Sequence, residues 1–307
     1  MAAPYDVLCL ATKTNNCDFK PLALQRRPLG PHDVLLDMKF CGVCHTDLHV
    51  AHGDTALLTG NHLPCVPGHE LVGVAAAVGA GVTRVRVGDA VGVGCMVDSC
   101  LECAACRRGE EQMCTKQVAT YGGKDKSGRA ATFPKGGHTL GGYSTRFVVH
   151  ERFAVIIPAG YPLEFAGPVM CAGVTLFDPL RRYKAARGTR VGIVGVGGLG
   201  QMGIRIAKAM GCVVTAISRG SGKEAFARAC GADACVSSTD PAAMAAAARS
   251  LDLVLNTIPS EHDYSVYNAL LASPGGTQVM LGLNTGLIAG MAVDAIVCGA
   301  SRVRGGA

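Results

Sequence analysis

The sequence predicts an α/β chain in two parts, a glycine-rich β half followed by a doubly wound parallel sheet. Three observations predict it. The grammar changes along the chain: residues 1 to about 155 read as short strands broken by glycine, proline and loops, and strands then alternate with helices. Gly195-Val196-Gly197-Gly198-Leu199-Gly200 fits G-x-G-x-x-G between a strand and a helix. Cys100, Cys103, Cys106 and Cys114 are spaced C-x2-C-x2-C-x7-C, a pattern that lets four thiolates converge on one tetrahedral ion, usually zinc. The predicted domains are 1–155 and 156–307.

In the first part, DVLLDMKFCGVC (33–44) alternates and then turns. ELVGVAAAVG (70–79) and DAVGVGCMV (89–97) are apolar strands punctuated by glycine, and YSTRFVVH (143–150) is another strand. FAGPVMCAGVTLFDPLRRY (165–183) carries apolar residues at helical spacing and opens the second part. TRVGIVGVG (189–197), CVVTAIS (212–218), DACVSS (233–238), LDLVLNT (251–257) and GTQVMLGL (276–283) supply its strands. GLGQMGIRIAKAMG (198–211) and KEAFARACG (223–231) are helices that end at glycine. DPAAMAAAARS (240–250) and a segment around 262–272 supply two more.

The composition narrows the function classes. The chain has 307 residues, 49% hydrophobic and 17% charged, which suits a well-packed globular protein. Net charge is +6, with no basic block interleaved with aromatics, so no nucleic-acid partner is expected. No apolar run is expected to reach the roughly 18 residues of a membrane helix, and the N-terminus lacks a secretory pattern. Fifteen cysteines without such a signal predict a reducing, cytoplasmic compartment. Nine of them fall outside the metal sets and read as small buried apolar groups.

The glycine motif marks a Rossmann-type dinucleotide site. Gly195 permits the tight turn, Gly197 lets backbone approach the pyrophosphate, and Gly200 lets helix pack on strand. Gly198 and Leu199 open the helix, whose free N–H groups face the phosphates. Thr257, at the end of a later strand, is counted with the cofactor residues. After the second strand the chain reads Ser218-Arg219-Gly220-Ser221-Gly222-Lys223, with no acid before Glu224. An acid there would bind the ribose diol. Ser218, Arg219 and Lys223 suit a 2′-phosphate instead, which favours NADP(H) over NAD.

Cys44, His69 and Cys171 form a second, scattered set of soft ligands. Three ligands that leave a fourth position open are what a catalytic zinc requires. Two thiolates and a neutral imidazole would cancel the charge of Zn²⁺.

These residues lie in CGVCHTDLH, PGHELVG and CAGVT. Together with the four-cysteine lobe, VGVGCMVDSC, GHTLGGYS and VGIVGVGGLGQMGI, they resemble the zinc-dependent medium-chain alcohol dehydrogenases. The nearest likeness is to the cinnamyl alcohol dehydrogenase and aldehyde reductase branch, from about residue 30 to about residue 290. The resemblance implies a GroES-like catalytic domain and a Rossmann domain. It implies a catalytic zinc on Cys44, His69 and Cys171 and a structural zinc on Cys100, Cys103, Cys106 and Cys114. It gives Asp47 the role of orienting His69, and makes Glu70 a carboxylate that approaches the metal during ligand exchange. Thr46 would bond the substrate oxygen, and His49 would pass the proton to solvent. His45 would lie near cofactor phosphate and Thr175 would face the nicotinamide.

Two departures stand out. The chain has no Trp, so Tyr121 in VATYGG is expected to supply an aromatic wall. After AVDAIVCGA it ends at SRVRGGA, where the resemblance implies a few dozen further residues; a homodimer is expected only with that region complete. The predicted activity is hydride transfer between NADP(H) and a primary alcohol or aldehyde, aromatic or of medium chain length. The runners-up are an NAD-dependent polyol dehydrogenase and a catalytically impaired protein that binds zinc and NADPH.

Overall fold

The computed structural model describes residues 4–54, 63–124, 138–272 and 274–282, together with the backbone of 301–304. AVDAIVCGA lies outside the described residues. The chain divides into two compact units, Met1–Cys171 and Ala172–Ala307, later than the 155/156 boundary read from the sequence. The intervening helix, Leu163–Pro168, packs on strands of the first unit, burying Ala166 and Gly167.

The first unit is mostly antiparallel. Strands β1 (Tyr5–Ala11) and β2 (Lys20–Arg26) pair as a hairpin. A five-stranded sheet contains β3 (Asp33–Cys41), β4 (Leu71–Val78), β5 (Ala90–Val93), β8 (Arg146–His150) and β9 (Val155–Ile156), in the order β8-β3-β4-β5-β9. The predicted strand 89–97 is two strands. It breaks after β5, and β6 (Met96–Asp98) pairs instead with β7 (Val118–Ala119). This break carries the chain into the four-cysteine lobe. Val34, Leu36, Leu71, Val91 and Val93 are fully buried and form the sheet's inner face.

In the second unit, β10 (Arg190–Val194), β11 (Val213–Ser218), β12 (Ala234–Ser237), β13 (Leu253–Asn256) and β14 (Thr277–Met280) run parallel. Their order is β12-β11-β10-β13-β14, with β15 (Ser301–Arg304) antiparallel at the edge. The order reverses beside β10, the switch point where an open parallel sheet binds its ligand. All four residues of β13 are buried, as in a sheet covered on both faces. The helix Gly198–Ala209 buries Gly200, Gly203, Ile204 and Ala207, an i, i+3, i+4, i+7 stripe. The helix expected around 262–272 is only Ser265–Asn268.

The expected continuous helix 165–183 is interrupted. Leu163–Pro168 is α-helical, 169–173 forms a wider π turn, and Val174–Arg182 resumes the α-helix. A proline at 168 lacks the N–H that an even i to i−4 ladder needs. Such π turns recur at functional sites, and this one contains Cys171. The run Leu163–Arg182 has the length and apolar composition of a membrane span, contrary to expectation, but 44% of an 18-residue window within it is buried inside the protein. A soluble core helix meets the same description.

Candidate active site

Three separate segments bring the scattered ligands together. Cys44 caps the helix His45–His52, His69 and Glu70 sit just before β4, and Cys171 lies in the π turn. One donor atom from each of Cys44, His69, Glu70 and Cys171 falls within 4.8 Å of all the others. His69 Nε2 lies 3.2 Å from Cys171 Sγ. His69, Glu70 and Cys171 are buried and Cys44 is half-buried. Two sulfurs, an imidazole and a carboxylate suit zinc, and their spacing fits one ion.

Asp47 turns the imidazole toward this point. It is 1% exposed, and its Oδ1 lies 3.2 Å from His69 Nδ1. The same oxygen accepts the Gly68 N–H at 3.0 Å. Oδ2 accepts the Cys44 N–H at 3.0 Å and the Tyr143 hydroxyl at 3.1 Å. Four donors thus saturate one carboxylate. Tyr143 was not singled out in the sequence, because nothing local in GGYS ties it to a residue 96 positions away.

Electrostatics hold protons at the site until a cation replaces them. The Cys171 hydrogen bond and burial push the Cys44 thiol up to about 12. Hydrogen bonding from Cys44 lowers the Cys171 thiol, but Cys95 and burial outweigh it and the net direction is up. Burial disfavours the His69 imidazolium, yet Asp47 and the two sulfurs raise its proton affinity well above the usual range. Burial, with the Cys44 sulfur, lifts Glu70 to about 7. Metal binding at such a site releases protons.

The proposed relay residues lie on the helix His45–His52. The Thr46 hydroxyl is 3.5 Å from Cys44 Sγ. His49 stacks on His45 at 4.7 Å between ring centroids, and its Nδ1 lies 2.9 Å from Asp54 Oδ2. Tyr121 is buried with its ring 5.6 Å from that of His69, and its hydroxyl faces the Asp47 carboxylate. Cys95, next to Cys171, was also missed, because it lies inside the ordinary-looking strand 89–97 that the structure breaks between β5 and β6.

The four-cysteine lobe is compact. The Sγ separations are 3.5 Å for Cys103–Cys106, 3.5 Å for Cys114–Cys100 and 3.9 Å for Cys100–Cys106. A tetrahedron with Zn–S arms of about 2.3 Å has edges of about 3.8 Å, whereas a disulfide needs about 2.05 Å. Backbone N–H groups stabilise the sulfur charge: Cys103 N–H bonds Cys100 Sγ at 3.3 Å and Lys116 N–H bonds Cys114 Sγ at 3.3 Å. The N–H groups of Glu102 and Cys103 bring Cys100 down to about 6.

In the second unit, Gly195 has φ +89°, so the turn after β10 uses the left-handed region. A Cβ at Gly200 would strike the Gly195 carbonyl oxygen, whereas Gly197 and Gly198 face open space. Leu199 packs against the core. The Thr257 hydroxyl donates to the Val194 and Gly195 carbonyls at 2.8 and 3.1 Å, so it fastens the glycine turn to β13. Ser218 ends β11, and its hydroxyl donates to the Gly220 carbonyl at 3.2 Å. Lys223 donates to the Val196 carbonyl at 3.0 Å, across to the glycine loop. Arg219 is exposed and makes no hydrogen bond or ion pair among the described residues. Thr175 is half-buried in the helix Val174–Arg182.

Comparisons with known proteins agree with this architecture. Residues 30–159 match the alcohol dehydrogenase GroES-like domain, and residues 198–306 match the zinc-binding dehydrogenase domain. The chain is 42% identical to a probable formaldehyde dehydrogenase of Bacillus subtilis, over 90% of this chain and 76% of that one. It is 43% identical to an aldehyde reductase of Escherichia coli, over 86% of this chain and 72% of that one. Among solved structures it resembles a cinnamyl alcohol dehydrogenase of Sorghum bicolor, with TM-score 0.84, 40% identity, and coverage of 92% and 77% of the two chains. It also resembles a Helicobacter pylori cinnamyl alcohol dehydrogenase solved with NADP(H), with TM-score 0.80, 33% identity, and coverage of 93% and 78%. With two metal-type clusters, a glycine-turn dinucleotide sheet and these relatives, the chain belongs to the zinc-dependent alcohol dehydrogenase family.

Proposed function

We propose that this chain is an NADP(H)-dependent aldehyde reductase and alcohol dehydrogenase of the cytoplasm, acting on primary aromatic or medium-chain substrates. The observation that carries the reading is the convergence of Cys44, His69 and Cys171, from three distant segments, within 4.8 Å. Zinc held there supplies Lewis-acid polarisation of the substrate oxygen. Asp47 fixes the tautomer and ring direction of His69 through its 3.2 Å contact. Thr46 offers a hydroxyl beside Cys44 to the reacting oxygen. His49 carries the proton onward, oriented by Asp54. Glu70, whose carboxylate lies within 4.8 Å of the other three donors, would be a further oxygen ligand available to that zinc. Arg219 and Ser218 discriminate NADP(H) from NAD(H). Cys100, Cys103, Cys106 and Cys114 would hold a second zinc through four thiolates, in a structural role.

The test is turnover of cinnamaldehyde and benzaldehyde with NADPH and with NADH, before and after a chelator removes both metals. NADPH-linked reduction that disappears on chelation and returns with zinc is expected. Unchanged turnover in the metal-free protein defeats the mechanism.

Tyr143→Phe isolates the support for Asp47. Removing the 3.1 Å hydroxyl contact is expected to weaken zinc retention roughly tenfold, with the fold unchanged. Chelator competition measures it, and wild-type zinc affinity in the variant would count against the role of Tyr143.

A further inference from the structure

The turn after β11 is braced from a place that the cofactor motif does not include. Ser237 ends β12 and pairs across the sheet with Ser218. Its hydroxyl accepts the Gly220 N–H at 3.2 Å and lies 3.1 Å from the Thr239 hydroxyl. Gly220 follows Arg219 and has φ +67°, so the backbone reverses there with little local restraint of its own. A second brace, the Lys223–Val196 contact at 3.0 Å, enters from the glycine loop. The Ser238 N–H closes the strand end on the Ser218 carbonyl at 2.9 Å. Between the braces, the Arg219 side chain is exposed, and the Tyr267 phenol lies within its electrostatic reach. A cation held this way keeps its donors for an incoming anion while its backbone is fixed.

We infer that Ser237 is a positioning residue for the cofactor 2′-phosphate, acting through the Gly220 N–H to hold Arg219 in place. The inference rests on the NADP(H) reading. It goes beyond that reading by naming a residue on the neighbouring strand whose side chain reaches the phosphate motif 218–223 through the Gly220 N–H. Ser237 braces the arginine turn and makes no hydrogen bond to the glycine loop. Its loss should therefore affect recognition of the 2′-phosphate and leave the pyrophosphate contribution intact.

The experiment measures binding of 2′,5′-ADP and of 5′-AMP to the full chain by calorimetry, for wild type, Ser237→Ala, Ser237→Thr and Arg219→Ala. The wild type should prefer 2′,5′-ADP. Ser237→Ala should bind 2′,5′-ADP about fivefold more weakly, the size of one neutral hydrogen bond, with 5′-AMP unchanged. Ser237→Thr keeps the hydroxyl and should restore most of the loss. Arg219→Ala should abolish the preference altogether. Wild-type 2′,5′-ADP affinity in Ser237→Ala overturns the inference, and so does an equal loss of 5′-AMP, which marks general damage to the sheet end. A wild type without preference between the two ligands overturns the NADP(H) reading itself, and the inference with it.

Discussion

Cys171→Ala is expected to lower kcat/KM for aldehyde reduction by roughly 10³-fold, because Lewis-acid polarisation contributes several kcal/mol and each 1.36 kcal/mol is tenfold. Its thiol is one of the two sulfurs of the converging set, and its only route there is the π turn at 169–173. Without it, His69, Glu70 and Cys44 remain, a set with one thiolate fewer and weaker hold on a soft cation. Metal analysis should fall from two zinc equivalents to one, since the other cluster shares no residue with this one. NADPH binding should persist, because the glycine turn and β11 belong to the second unit. A variant that keeps both metals and its turnover would remove Cys171 from the centre.

Cys106→Ala should act on stability first. Its sulfur sits 3.5 Å from that of Cys103 and 3.9 Å from that of Cys100, and it also meets the Ser99 hydroxyl at 3.3 Å. The lobe's own structure is slight: its α-helix is Ala104–Arg107, and its buried cluster among the described residues consists of cysteines. Zinc at such sites contributes on the order of 10 kcal/mol to the folding of small domains. Losing even part of that should depress the apparent Tm by about 10 °C or more and free the amides of residues 98–118 to exchange. Hydrogen exchange and calorimetry read the two effects. Protection in the lobe equal to wild type, with the zinc gone, would show that the metal does not hold it.

Several features were legible because they are local. The C-x2-C-x2-C-x7-C spacing confines four sulfurs to one short loop, so sequence distance and spatial distance nearly coincide. The glycine turn is equally local: Gly195 needs its positive φ, and Gly200 leaves no room for a Cβ, whatever surrounds them. The parallel strands announced themselves as buried apolar runs separated by helices, and β13 is buried throughout as that pattern requires. Boundaries were less legible. The strand read as 89–97 splits where β6 leaves to pair with β7, a choice made by a partner about twenty residues later in the chain.

The sequence by itself determined the ligand chemistry and the order of the elements, because residue type, spacing and period are written along the chain. Tertiary structure decided which groups meet. It brought residues 44, 69 and 171 to one point, saturated Asp47 with a hydroxyl from Tyr143, and widened a helix into a π turn at Cys171. It also placed the Ser237 hydroxyl under the arginine turn, across the register of two parallel strands. Such contacts are made across tens of residues by packing and strand register, and no local pattern encodes them.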